Sequence, residues 1–95
     1  MKLIVSRQAV ADLQRLHAFL VDKNPAVAQR VIAVLDAAIQ SLEHFPDRGR
    51  PANITGLREL IVPFGRSAYV LRYAHLAEAD ETVILRIWHG RELRE

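Results

Sequence analysis

A chain of 95 residues, with 51% hydrophobic and 25% charged residues, is long enough for one folded domain and has a globular composition. The chain contains no cysteine, which excludes disulfides, thiol nucleophiles and thiolate metal sites and fits a reducing cytoplasm. No apolar run reaches about 18 residues, so we predict no membrane span. The apolar run that follows Met1 is too short for a signal peptide. We therefore expect a single cytoplasmic domain over residues 1–95.

Basic residues are distributed unevenly around a formal net charge of +2. Residues 1–47 contain five Lys/Arg and five Asp/Glu, whereas residues 48–95 contain eight Arg, no Lys and six Asp/Glu. Arginine without lysine is typical of surfaces that bind planar anions through forked hydrogen bonds. A codon bias toward arginine is the alternative explanation.

The first half of the chain predicts one strand and two helices. Residues 3–5 form a short apolar run, and Ser6 can cap a helix over residues 7–23, whose apolar side chains recur at spacings of three and four. Asn24 caps a second helix over residues 25–45, which begins at a proline. So short a joint requires the two helices to form an antiparallel hairpin.

The second half predicts three strands after a loop rich in proline and glycine. Three segments alternate between apolar and polar positions: residues 57–62, 68–74 and 82–88. In the last of them, alternation places Ile84, Arg86 and Trp88 on one face and Val83, Leu85 and Ile87 on the other. Short connections predict an antiparallel meander. The polar tail, residues 89–95, predicts no further element.

The element order is therefore β-α-α-β-β-β, an α+β fold with the helical hairpin on one face of a mainly antiparallel sheet. The opposite face is expected to remain open and to carry arginine, tyrosine and tryptophan side chains among apolar ones. Such a face is typical of a partner-binding surface.

Three arginines occur once in each predicted strand, namely Arg58, Arg72 and Arg86. If the strands align, these side chains form a cationic stripe across the sheet, suited to RNA phosphates or to an acidic protein. The alternative for each arginine is an ion pair with a carboxylate such as Glu59. Further arginines lie at strand ends: Arg66, Arg91 and Arg94.

Aromatic residues lie in the same strands as the arginines. Tyr69, Tyr73 and Trp88 can stack on bases, although a role in the core is the alternative. The residues that we predict to bind a partner are Arg58, Arg72, Arg86, Trp88 and Tyr73.

One histidine is placed for acid–base chemistry. His89 ends the last strand beside the arginines and can act near neutral pH, although a backbone hydrogen bond at a strand end is an equally good explanation. His17 falls on the apolar face of the first helix and is predicted to be a core residue, whereas Asp12 falls on another face. No histidines have the spacing of metal ligands, so we predict neither a metal site nor a cofactor.

The ordered set of motifs resembles the RelE/ParE superfamily of toxins over essentially the whole chain. The segments that carry the resemblance are Ala11-Asp12-Leu13, residues 41–46 (SLEHFP), Gly49-Arg50-Pro51, residues 57–60 (LREL), residues 69–73 (YVLRY) and residues 84–91 (ILRIWHGR). The resemblance implies the toxin of a type II toxin–antitoxin module. It also implies a cognate antitoxin as partner, with higher-order assembly of the two proteins as an option.

The superfamily divides by target, and the resemblance implies two functions. ParE-like members inhibit DNA gyrase without nuclease chemistry, and RelE-like members cut mRNA on the ribosome with basic side chains. Here Arg58 is the one basic residue in its strand, Val70 stands where the RelE pattern has an arginine, and Arg91 matches a basic RelE position. We therefore favour a ParE-like gyrase inhibitor that is not an enzyme.

The alternative is a ribosome-dependent, metal-independent mRNA endonuclease. Its active groups would be His89 and Arg91, with Arg58 and Arg66.

Overall fold

The computed structural model describes residues 2–92. The tail beyond, including Arg94, lies outside the described residues. The elements in chain order are β1 (Lys2–Val5), α1 (Arg7–Val21), α2 (Pro25–Ser41), β2 (Arg50–Pro51), β3 (Arg58–Phe64), β4 (Ser67–Leu76) and β5 (Glu81–His89).

The five strands form one sheet in the order β1-β5-β4-β3-β2. β1 pairs with β5 in parallel, and all other pairs are antiparallel. The predicted α+β fold is confirmed, with two helices on one sheet face. The structure adds the two-residue strand β2 in a segment predicted to be a loop, and α2 ends at Ser41 rather than near Phe45.

Both helices begin at the predicted caps. The hydroxyl of Ser6 accepts the Ala9 N–H at 3.1 Å, and the side chain of Asn24 accepts the Val27 N–H at 3.2 Å. Pro25 occupies the first turn of α2, where its missing N–H costs no hydrogen bond. These starts depend on residues adjacent in sequence, so the sequence predicts them directly.

The core lies between the helical hairpin and the sheet. β4 directs Leu71 and Tyr73 toward the helices, where both are fully buried. They pack in one cluster with Leu35, Ile84 and Ile87. Alternate residues of β3 and β4 therefore face the helices, as the alternation of these segments predicts.

The predicted faces of β5 hold for Ile87 and Trp88 but fail at Ile84, because the register with β4 shifts between Arg72 and Tyr73. Arg72 pairs with Arg86, but Tyr73 pairs with Ile84, so β5 holds one extra residue at this point. A bulge of this kind interrupts strict alternation. As a result Ile84 and Ile87, three positions apart, both reach the core at 0% exposure.

Two predictions for α1 are also wrong. His17 is exposed rather than packed in the core. Asp12 is buried at 4% exposure, because it shares a helix face with the buried residues Ala9 and Leu16.

The sheet face away from the helices is less open than predicted. Its residues include Glu59, Val70 and Trp88, which are 6%, 5% and 4% exposed. Within residues 2–92, neither helix is long and apolar enough to cross a membrane.

Candidate functional site

The predicted arginine stripe does not form. Arg72 and Arg86 are direct cross-strand neighbours, but Arg58 pairs with Tyr73 and lies one residue out of register. Because side chains alternate along a strand, one residue of offset puts Arg58 on the opposite sheet face from Arg72.

The Arg72 guanidinium group is held inside the protein. Its Nη2 atom lies 2.9 Å from Oε2 of Glu59, and the two side chains are 13% and 7% exposed. Its guanidinium carbon also lies 5.0 Å from the ring centroid of Trp88. Arg72 therefore stabilises its own sheet face instead of extending toward a partner.

The Arg86 guanidinium group binds α1. Its Nε atom donates to Asp12 Oδ2 at 2.9 Å, and its Nη2 atom donates to Asp12 Oδ1 at 3.2 Å. The same carboxylate accepts the Ile87 N–H at 2.8 Å. Burial of Asp12 opposes ionisation, but the hydrogen bonds from Arg86 and Ile87 and the charge of Arg86 outweigh it and lower the Asp12 pKa.

These contacts cap the edge of β5 beyond the end of β1. The Ser6 hydroxyl donates to the Leu85 carbonyl at 3.0 Å, and the Arg15 Nη2 atom donates to the Ile87 carbonyl at 3.4 Å. The Glu92 carboxylate accepts the His89 N–H at 3.2 Å. A strand edge whose amides and carbonyls are already bonded offers no pairing site to another chain.

His89 is the last residue of β5, and its ring nitrogens have defined hydrogen-bonding roles. Its Nδ1 atom accepts the Arg91 backbone N–H at 3.1 Å, which places the ring proton of neutral His89 on Nε2. Its ring stands edge-on to Tyr69, with centroids 5.2 Å apart. Burial and the charge of Glu92 raise the Tyr69 pKa, so the phenol stays protonated at neutral pH.

The residues proposed for nuclease chemistry do not form one cluster, because Arg58 lies far from His89. His89 pairs with Tyr69 and Arg58 pairs with Tyr73, four residues along β4, a separation of about 13 Å at 3.3 Å per residue. Arg66 lies in the β3–β4 turn at the His89 end of the sheet and is exposed, as is Arg91. The structure thus places Arg66, His89 and Arg91 at one end and Arg58 at the other.

Arg58 fixes a loop instead. Its Nη1 atom donates to the Gly49 carbonyl at 2.5 Å, and its Nη2 atom lies 3.6 Å from Oδ1 of Asp47. The neighbouring Tyr73 hydroxyl donates to the Pro46 carbonyl at 2.7 Å and accepts the Gly49 N–H at 2.8 Å. Both side chains therefore hold the chain that leads from α2 into the sheet.

The predicted partner-binding aromatics are interior residues. Tyr73 is 0% exposed and Trp88 is 4% exposed. Neither ring is exposed for contact in this structure, and their role in partner binding stays a prediction. Tyr73 is covered by the helical hairpin, whereas the Trp88 ring packs on the other sheet face against Arg72.

A groove on the outer surface of the helical hairpin is a second candidate site. It has a volume of about 360 Å³. Its lining is mainly apolar and comprises Leu13, His17, Gln29, Ile32, Ala33 and Asp36. The predicted core residue His17 lies here instead, on the rim of a surface groove. Among residues 2–92, no cluster of three His, Asp or Glu side chains is placed to hold a metal ion.

Sequence reasoning missed Asp12 and Glu92 as site residues. The signal for Asp12 is its helical spacing, three residues after Ala9 and four before Leu16, which places a carboxylate on the buried face. Glu92 gave no comparable signal, because its partner Arg15, at 2.9 Å, is distant in sequence.

Comparison with known proteins defines the class of this domain. A sequence model of the family described as "ParE toxin of type II toxin-antitoxin system, parDE" matches residues 3–94. With a helical hairpin packed on a five-stranded sheet, the chain is a toxin of a type II toxin–antitoxin module. Within that class it belongs to the ParE toxin family. The predicted membership of the RelE/ParE superfamily is confirmed.

Relatives in bacteria match nearly the whole chain. Toxin RelE1 of Caulobacter vibrioides is 44% identical over 91 residues, 96% of this chain and 95% of that protein. Toxin RelE3 of the same organism is 36% identical over 92% of this chain and 91% of its own length. A chain of the chromosomal ParDE system from P. aeruginosa superposes with a TM-score of 0.82 at 25% identity, covering 94% of this chain and 95% of that chain.

Proposed function

We propose that this toxin arrests growth by binding DNA gyrase in the cytoplasm and that it performs no nuclease chemistry. The match to the ParE toxin family carries the gyrase target, and the state of His89 speaks against nuclease chemistry. A general base needs a free lone pair, but the Nδ1 lone pair of His89 is occupied by the Arg91 N–H, so its Nε2 atom carries the proton.

The surroundings of His89 support the same proposal. Cleavage of RNA requires one group that accepts the proton of the 2′-hydroxyl and another that donates to the leaving oxygen. Arginine stays protonated at neutral pH and does not exchange protons there. Tyr69, the ring in contact with His89, has a raised pKa and holds its proton. A binding role demands no such proton transfer.

The test is induction of the toxin in growing cells, with analysis of gyrase and of transcripts from the same culture. We expect gyrase–DNA cleavage complexes to accumulate while transcripts remain intact, and we expect His89→Ala to arrest growth as the wild type does. Transcripts cut at codon boundaries, with the cuts abolished by His89→Ala, would refute gyrase inhibition.

A ribosome-dependent mRNA endonuclease is the second candidate. One observation favours it: Arg66, His89 and Arg91 lie at the same end of the sheet, and both arginines are exposed. In that case the Nε2–H of His89 would hydrogen-bond the substrate, and the exposed arginines would bind phosphates. Arg66→Ala and Arg91→Ala would then abolish transcript cleavage.

As a type II toxin the chain has an antitoxin as its partner. We infer that an amphipathic helix of the antitoxin binds the groove between α1 and α2, because Leu13, Ile32 and Ala33 give that groove an apolar lining. The structure limits which arginines are available to pair with acidic residues of the antitoxin. Arg72 and Arg86 already bind carboxylates, so exposed arginines such as Arg66 remain for this role.

A further inference from the structure

The segment from Phe45 to Arg50, the first residue of β2, is here termed the 45–50 loop. Side chains of the sheet hold this segment through hydrogen bonds. The buried Tyr73 hydroxyl bonds both Pro46 and Gly49, at 2.7 and 2.8 Å. Arg58 binds the loop from the side through the Gly49 carbonyl and the Asp47 carboxylate. Burial raises the Tyr73 pKa, so the hydroxyl keeps the proton that it donates to Pro46.

Close packing at Gly49 fixes the loop further. A Cβ atom at this position would lie 2.7 Å from the Tyr73 hydroxyl oxygen and 2.9 Å from the Glu59 carbonyl oxygen. Only glycine fits between the buried ring and the backbone of β3. The loop backbone therefore packs closely on the sheet, which fixes the positions from which its outer side chains extend.

The outer side of the loop presents an aromatic residue and two arginines. Phe45 is 65% exposed, the highest value among the large hydrophobic side chains of residues 2–92. Arg48 and Arg50, three and five residues later, are also exposed, and Arg48 is anchored by a 2.7 Å hydrogen bond to Ser41. An exposed aromatic ring and exposed arginines in one short, fixed segment are typical of an interface hot spot.

We propose that the 45–50 loop is the surface with which this toxin docks onto its target, and that the target surface is a folded protein patch with acidic groups around an apolar pocket. Phe45 enters the pocket, and Arg48 and Arg50 face the carboxylates. The proposal rests on the function proposed above, in which the target is gyrase. A fixed loop loses little conformational entropy on binding, which favours a partner that is also rigid.

The charge of the loop favours a protein over a nucleic acid. The Asp47 side chain, directly before Arg48, is 83% exposed and would repel phosphates. Two arginines also fall short of the roughly six to ten phosphate contacts that give strong nucleic-acid binding. The antitoxin is a less suitable occupant, since a segment that folds on binding requires a groove, which the hairpin provides.

The test compares Phe45→Ala and Arg50→Glu with the wild type, using growth arrest on induction, gyrase cleavage complexes, antitoxin affinity and melting temperature. Phe19→Ala is the matched control, because Phe19 is a second phenylalanine, 61% exposed on α1. We expect both loop variants to need at least about tenfold more toxin for growth arrest. Melting temperature and antitoxin affinity should stay at wild-type values, and Phe19→Ala should arrest growth normally.

Each other outcome has a defined meaning. Full growth arrest by the Phe45→Ala/Arg50→Glu double variant would overturn the docking surface, even if the wild type traps gyrase. If the loop variants lose antitoxin affinity as well as the ability to arrest growth, the loop belongs to the antitoxin site and the proposal is overturned. Loop-dependent binding of purified toxin to DNA or RNA would overturn it in favour of a nucleic acid.

The outcomes also separate the loop from the gyrase proposal. Suppose that the wild type arrests growth without trapping gyrase and that the loop variants do not arrest growth. That result would support the docking surface and refute gyrase as the target. A wild type that does not affect growth would refute both.

Discussion

Asp12 connects helix and sheet through a single carboxylate. Its two oxygens accept hydrogen bonds from Arg86, from the Ile87 backbone and, at 3.4 Å, from Arg15. An ion pair at this depth remains favourable only while every oxygen has a donor. Replacement of Asp12 therefore affects the strand edge as well as the charge.

We expect Asp12→Asn to lower the free energy of unfolding at pH 7 by about 1–3 kcal/mol, because it weakens charge-assisted hydrogen bonds to Arg86 and Ile87. The pKa of Asp12 is lowered in the folded state. Its stabilisation is thus complete above the unfolded pKa of about 3.9 and is lost as the pH falls through the lower folded value. The difference in unfolding free energy between wild type and Asp12→Asn should shrink as the pH falls below that unfolded value.

Urea unfolding of both proteins at pH 7 and pH 3 measures this difference. Asp36→Asn, at an exposed position of α2, is the control and should change stability little at either pH. If Asp12→Asn lowers the free energy of unfolding by the same amount at both pH values, the loss of stability comes from packing and not from the ionised carboxylate.

At the scale of secondary-structure elements, α1 completes the sheet where β1 ends. Ser6 accepts the Ala9 N–H to start the helix and donates to the Leu85 carbonyl of β5. Asn24 starts α2 through local amides alone, those of Ala26 and Val27. The two caps thus differ in one respect, the bond from Ser6 to the sheet.

We expect Asn24→Ala to cost about 1 kcal/mol of stability, the usual effect of losing an N-cap. Ser6→Ala should cost about 2 kcal/mol, because it also leaves the Leu85 carbonyl without its donor. Chemical denaturation of both variants measures the difference. Equal losses would mean that water replaces the Ser6 hydroxyl at the strand edge.

At the scale of the whole molecule, three surfaces lie apart and can be tested separately. The hairpin groove is formed by the helices, the 45–50 loop follows α2, and His89 ends β5. A toxin that is neutralised by one protein and acts on another benefits from separate contact surfaces, because each can then be altered independently.

We expect Ala33→Asp to weaken antitoxin binding at least about tenfold, because it places a charge in the apolar groove. Ala18→Asp is the matched control, an exposed alanine on α1 outside the groove lining. Titration calorimetry of the refolded toxin with its antitoxin measures both. Equal affinities for the two variants would exclude the groove as the antitoxin site.

Salt provides a second measurement on the same complex. We expect affinity to fall as salt rises, and to fall when acidic antitoxin residues are neutralised, because exposed arginines such as Arg66 contribute to the contact. An affinity that is independent of salt would exclude charge pairing as a contribution.

The sequence by itself determined the features that depend on neighbours along the chain. The caps at Ser6 and Asn24, the two helices, the three long strands and the α+β order follow from local hydrogen bonding and from the periodicity of apolar residues. The ordered motifs were also sufficient to indicate the superfamily. The candidate site was predicted less well: His89 and Arg91 do lie at the end of β5, but the stripe does not exist.

Only the tertiary structure decided which side chains meet. The register between strands, with an extra residue in β5, separates Arg58 from Arg72 and brings Ile84 and Ile87 into the core. The ion pair of Asp12 with Arg86 joins residues 74 positions apart. Packing between distant segments fixes such contacts during folding, and a one-residue slip in register reverses the face of every side chain in a strand.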